Sequence, residues 1–257
     1  ANIYERIKMK KVIKIILLVI CLCVFIFSAY NIYKYLSEEN ANKKLNNELM
    51  EKAIIETPND NNDNTQENED ILPISVDFSV LKQENEDIVG WLYLEDSPIN
   101  YPVVQSNDND YYLRRLVNGE YNIAGSLFMD YRNDSNLEDN NTIIYGHNMK
   151  NNTMFGSLQE YKNQNYYDNH KVMYYFTPGK NYIIELFTGY TISVESDIYD
   201  LSIIDSSKLE ELISKSDFES NTKVTEEDKI ITLSTCAYEY DGARYVVMGV
   251  LKEIEKK

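Results

Sequence analysis

The sequence predicts a mainly β domain, an all-β barrel carrying helical insertions, tethered behind one transmembrane helix. Three observations carry that reading. Eight short β-prone runs recur between residues 91 and 251, with only four helical patterns before or between them, a spacing that favours a barrel or sandwich over alternating βα units. A 19-residue stretch, residues 12–30, carries no charge except Lys14. Composition then shifts near Ile71, from a polar segment rich in Asn, Asp and Glu to the β-prone region.

Residues 1–11 are basic and precede the apolar stretch. As a helix, residues 12–30 would extend about 28 Å, enough to cross the hydrocarbon core. Lys8, Lys10, Lys11 and Lys14 precede or begin it, and only Lys34 follows closely. The positive-inside rule therefore expects the amino terminus in the cytoplasm and everything after about Tyr35 outside. A cleaved signal peptide is the competing reading, but the stretch is long for one and Phe27-Ser28-Ala29-Tyr30 is a weak cleavage site. Cys21 and Cys23 fall within the span as lipid-facing filler. Residues 31–70 read as an extracytoplasmic polar linker, helical over 40–52 and disordered over 57–70.

Residues 71–257 form the expected folded domain. Its strands are expected at residues 91–94, 99–104, 126–129, 142–145, 172–176, 182–191, 229–234 and 244–251, because these runs are rich in β-branched and aromatic residues. Helices are expected at residues 78–88, 110–116, 153–161 and 206–216. Ser206 and Ser207 are expected to cap the last, with Glu210 completing a capping box. The 22 tyrosines fall mostly on or beside the β-prone runs and read as barrel and rim packing.

Charge excludes some functions. The formal net charge is −17, and the five net positive charges of residues 1–37 leave −22 on the remainder. Such a surface lacks the basic face that nucleic-acid binding needs. It could favour a cationic partner, but generic solubility of an exported protein is the better explanation. The acidic cluster Asp134-Ser135-Asn136-Leu137-Glu138-Asp139 lacks the calcium-loop pattern and its turn glycine. No metal and no cofactor are expected.

Chemistry concentrates on three residues. Cys236 is the sole cysteine beyond residue 23 and closes the run Ile230-Ile231-Thr232-Leu233-Ser234-Thr235-Cys236. A lone thiol on an exported domain has no internal disulfide partner and is an oxidation liability. It is either a small buried hydrophobe or a nucleophile. His147 closes Thr142-Ile143-Ile144-Tyr145-Gly146-His147 at another strand end, whereas the second histidine, His170, sits in a polar stretch that reads as a surface loop. An imidazole supplies the proton transfer that a cysteine nucleophile needs near neutrality. Arg244 begins the run after Cys236, and its planar fork of donors suits a carbonyl or a developing oxyanion. The alternative for Arg244 is a surface salt bridge.

Thr232-Leu233-Ser234-Thr235-Cys236, with the histidine upstream and the arginine on the following strand, resembles the Thr-Leu-x-Thr-Cys signature of the sortases. The resemblance covers roughly residues 75–254 and is to class B in particular. It rests on Gly90-Trp91-Leu92, Ile99-Asn100-Tyr101-Pro102-Val103-Val104-Gln105, Gly125-Ser126-Leu127-Phe128-Met129-Asp130-Tyr131-Arg132-Asn133, and Tyr145-Gly146-His147 followed by Asn152-Thr153-Met154-Phe155. It implies a closed eight-stranded β-barrel with an N-terminal helix and a helix before the cysteine strand. It also implies a membrane-anchored cysteine transpeptidase facing the cell wall. Catalytic roles would fall on Cys236, His147 and Arg244, and sorting-peptide contacts on Ser234, Asn100, Val104 and Thr235. The implied partners are surface proteins bearing a C-terminal sorting signal, Asn-Pro-x-Thr-Asn-like or Pro-x-Thr-Gly-like, and an amine of peptidoglycan or its lipid-linked precursor. The short segment after the cysteine and the loosely matching residues 193–199 leave the signal undecided. A hydrolytic cysteine peptidase, a pilus-polymerising sortase and a non-catalytic wall-binding module remain as alternatives.

Overall fold

The computed structural model describes residues 3–56, 72–201 and 205–254. The expected disorder over 57–70 lies outside the described residues. Helix α1, Ile3–Ala53, is one continuous element and is long and apolar enough to cross a membrane. It contributes to two compact units, residues 1–44 and residues 45–257. The second unit thus begins well before the boundary expected at Ile71. Leu45, Leu49 and Ala53 supply the reason: Leu49 and Ala53 are buried in one apolar cluster with Ile74, Phe78 and Trp91. The strand pair β1 (Ile54–Glu56) and β2 (Ile74–Val76) follows directly, in antiparallel register. The last turns of α1 are therefore domain structure, not linker.

Helix α2, Phe78–Glu84, is capped by Asp77, whose carboxylate accepts from the N–H groups of Ser79 and Val80. Eight strands follow: β3 (Ile88–Tyr93), β4 (Asn100–Val104), β5 (Leu127–Met129), β6 (Asn141–Tyr145), β7 (Val172–Phe176), β8 (Asn181–Ser193), β9 (Ile230–Cys236) and β10 (Ala243–Ile254). They close in the order β10-β8-β7-β3-β4-β5-β6-β9, with β9 returning to β10. Pairing is antiparallel except for β4–β5 and β6–β9. Parallel neighbours require long crossovers, and these crossovers carry the helical insertions.

Alternation along β9 sorts its side chains. Ile231 and Leu233 point into the main barrel cluster. Ile230 belongs to an outer cluster with Leu209 and Leu212 of helix α4, Ser206–Ser214. Successive side chains face opposite sides, so Ser234 and Cys236 share that outer face. Helix α4 is capped by Asp205, which accepts from the N–H of Lys208 at 2.8 Å. The cap expected at Ser206 or Ser207 lies one or two residues too late. A carboxylate also complements the helix N-terminus, while the Ser206 hydroxyl donates to Glu226.

Two expected helices shrink to 3₁₀ turns, Tyr112–Arg114 and Gly156–Lys162. Positive φ at Asn152 and Met154 breaks the second before a full α-turn can form. The polar stretch before His170 instead forms helix α3, Gln164–Asn169, capped by Asn163.

Candidate active site

Cys236 lies directly opposite Arg244 across the β9–β10 ladder. Opposed residues of an antiparallel pair project from the same face, so thiol and guanidinium share one side of the barrel wall. Both are half-exposed, and Arg244 Nη1 donates to the Ala243 carbonyl at 2.9 Å. On the other flank, β6 runs parallel to β9, pairing Tyr145 with Ser234. The Gly146 N–H extends that ladder to the Ser234 carbonyl at 3.1 Å, and Thr235 Oγ1 donates to the Gly146 carbonyl at 2.8 Å. His147 thus leaves β6 beside the cysteine-bearing end of β9. Gly146 is required there, because a Cβ would sit 2.4 Å from Leu127 and 2.7 Å from Phe155. Asn148 continues the tie, donating from Nδ2 to the Cys236 carbonyl at 2.7 Å.

The His147 ring is fixed by the backbone. Its Nε2 lies 2.6 Å from the Leu113 carbonyl oxygen, which only accepts, so Nε2 carries a proton. Burial pushes the imidazole pKa below 6.5, with the Arg114 charge adding to the effect and the Leu113 hydrogen bond opposing it. Gly125 protects this contact. It sits at φ +58°, and a Cβ there would meet the Leu113 carbonyl at 2.6 Å.

Cys236, His147, Arg244, Ser234 and Thr235 line one groove of about 420 Å³. Asn109, Leu113, Tyr145, Val194 and Tyr199 complete much of its wall. Ser234 is buried, its Oγ 2.8 Å from the Tyr199 hydroxyl. Asn100 and Val104 do not line this groove. Asn100 Oδ1 accepts from the buried Trp91 indole at 2.7 Å and its carbonyl accepts from Asn46. Val104 is fully buried in the cluster beneath α2, with Ile88 and Trp91. The β4–β5 crossover brings Asn109 and Leu113 to the groove.

His170 also stays apart. Its Nδ1 lies 2.8 Å from the Tyr166 carbonyl, its ring stacks on Tyr166, and it does not line the groove. Among the described residues no group of three or more His, Cys, Asp or Glu is placed to hold a metal ion. Asp139, in the acidic cluster, accepts from Asn133 and from the Asp134 N–H, which closes a turn.

Comparison with known proteins identifies the family. The Sortase domain family profile matches residues 92–252. Sortase B of Listeria monocytogenes is 40% identical over 177 residues, covering 66% of this chain and 72% of that protein. Sortase B of Staphylococcus aureus is 35% identical over 184 residues, covering 69% and 75%. The structure of a Staphylococcus aureus sortase B–substrate complex superposes with a TM-score of 0.65 at 34% identity, covering 69% of this chain and 85% of that one. The chain belongs to the sortase family and is a cysteine transpeptidase of the sortase B type.

Proposed function

We propose that this transpeptidase cleaves a C-terminal sorting signal after its Thr and passes the acyl group to a peptidoglycan amine. The observation that carries the reading is the pairing of Cys236 with Arg244 across two neighbouring strands, in the groove that also holds His147. The Cys236 thiolate attacks the Thr carbonyl carbon, and Arg244 hydrogen-bonds the oxyanion formed from it. Such a donor is typically worth on the order of 3 kcal/mol. As the C–N bond breaks, His147 gives its proton to the departing amine, leaving a thioester on Cys236. The incoming amine then attacks the thioester and yields its proton to His147, and departure of the Cys236 sulfur returns the pair to its starting protonation.

Staphylococcus aureus sortase B has been captured with a substrate, and a sortase B has been captured with a glycine tripeptide. Both complexes support a peptide donor and an amine acceptor here. Ser234, Thr235, Asn109, Leu113 and Tyr199 form the wall against which an extended signal would lie. The signal is taken as Asn-Pro-x-Thr-Asn-like or Pro-x-Thr-Gly-like. We further place residues 1–11 in the cytoplasm, residues 12–30 in the membrane and the compact unit outside, facing the wall, from the lysines before the span.

The test is incubation of the full chain in detergent micelles with a library of signal peptides and candidate amines. A thioester on Cys236, and an added amine that diverts product from hydrolysis to ligation, are expected. Hydrolysis at an unchanged yield whatever amine is present would favour a peptidase instead.

A further inference from the structure

The wall of the groove rests on a carboxylate for which the proposed chemistry has no use. Asp130, immediately after β5, is 0% exposed. Its Oδ1 accepts from the N–H and Nε of Arg132 at 3.0 and 2.8 Å. Its Oδ2 accepts from Arg132 Nη2 at 2.8 Å, the Tyr145 hydroxyl at 2.9 Å and Asn109 Nδ2 at 3.0 Å. A buried carboxylate persists only when paired and hydrogen-bonded. Burial alone would raise its pKa, but Arg132, Tyr145 and Asn109 outweigh burial and hold it below the usual carboxylate range.

Two of these donors, Asn109 and Tyr145, line the groove, and Arg132 reaches a third lining residue, Tyr199. Asn109 comes from the β4–β5 crossover, and its Oδ1 also accepts from the Tyr131 N–H at 3.0 Å. Tyr145 ends β6 and stacks on Tyr199 with ring centroids 6.2 Å apart. Arg132 Nη2 reaches past Asp130 to the Tyr199 carbonyl at 2.9 Å, and the Tyr199 hydroxyl meets Ser234 Oγ two residues before the thiol. Three separately threaded segments thus meet at one charge pair whose carboxylate is buried, and all three line the groove. A well-packed apolar pair would serve stability as well or better, but it would not hold three walls by directed hydrogen bonds.

We infer that Asp130 and Arg132 are positioning residues for signal recognition: the ion pair fixes the spacing of the Asn109, Tyr145 and Tyr199 walls that receive the peptide. The inference rests on reading the groove as the signal site. Arg132→Lys keeps the charge, but one ammonium cannot bridge both Asp130 oxygens and also reach the Tyr199 carbonyl. Asp130→Asn keeps the shape and removes the charge.

The experiment measures kcat and KM on the peptide selected by the library screen, together with alkylation of Cys236 by iodoacetamide, using the full chain in micelles. Both variants are expected to lose about 10- to 100-fold in kcat/KM, most of it in KM, as small displacements of binding groups do. Alkylation, which needs no peptide wall, should stay within about twofold of wild type. Should Asp130→Asn fail to fold, Arg132→Lys carries the test alone, since the Arg132 side chain is 40% exposed. Unchanged kcat/KM in Arg132→Lys, a loss confined to kcat, or an equal loss of alkylation would each overturn the inference. Inactivity of the wild type on every signal peptide is a separate outcome, which would remove the reading of the groove and the inference with it.

Discussion

Arg244 is the residue for which catalytic and structural roles predict the most different behaviour. Its side chain shares a face with Cys236 and bonds a neighbouring carbonyl. Arg244→Lys keeps the charge and loses the fork, so acylation should slow by about 10- to 1000-fold, roughly 1.4 to 4 kcal/mol of transition-state stabilisation. Pre-steady-state acylation and a melting curve check this, and near-normal turnover with a lower melting temperature would make Arg244 structural. His147 offers a second measurement. Its depressed pKa means that the folded protein resists protonating it, so its contribution to stability is present above pH 6.5 and is lost as pH falls through the lower folded value. With only two histidines in the chain, imidazole resonances followed against pH, with His147→Ala as assignment, should show a midpoint below 6.5. A midpoint above 7 would contradict the desolvated ring. These residues are legible in the sequence because each sits at the end or the start of a local β-prone string. Asn109 and Tyr199 are not, since they reach the groove from crossovers whose paths depend on the closed barrel, and nothing local shows that Asn100 accepts from the Trp91 indole.

Strands are easier to read than turns. All eight barrel strands fall within a few residues of their expected places because β-branched runs bury on both faces, as the unbroken burial of Ile230–Thr235 illustrates. The 3₁₀ turns carry no such period, and positive φ at Asn152 and Met154 is invisible to a helical pattern. The end of α1 reads as linker for another reason: its polar residues hide a sparse apolar stripe, Leu45, Leu49 and Ala53, that joins the domain core. Leu49 is 2% exposed, so Leu49→Ala should cost about 2 to 4 kcal/mol. Denaturant unfolding followed by Trp91 fluorescence, in the same cluster, reads it directly. A loss below about 0.5 kcal/mol would return these turns to the linker, because exposed sites rarely cost more.

The anchor orientation is tested on intact cells. Protease added to protoplasts should remove the compact unit while epitopes before the span stay protected, and recovery of a soluble protein beginning near Tyr30 would defeat the retained anchor. Barrel closure bears on how a flexible tail is captured. From Ile230 to Ser234, β9 has β6 on one side and β10 on the other, so that stretch of the thiol-bearing strand offers no open edge to an incoming chain. An arriving tail cannot dock by adding itself as another rung, the sequence-tolerant mode by which many extended peptides are bound. It must be read by its side chains in the groove instead. On the proposed reading, discrimination among tails that share the same backbone follows from a sheet that has already used up its own edges there.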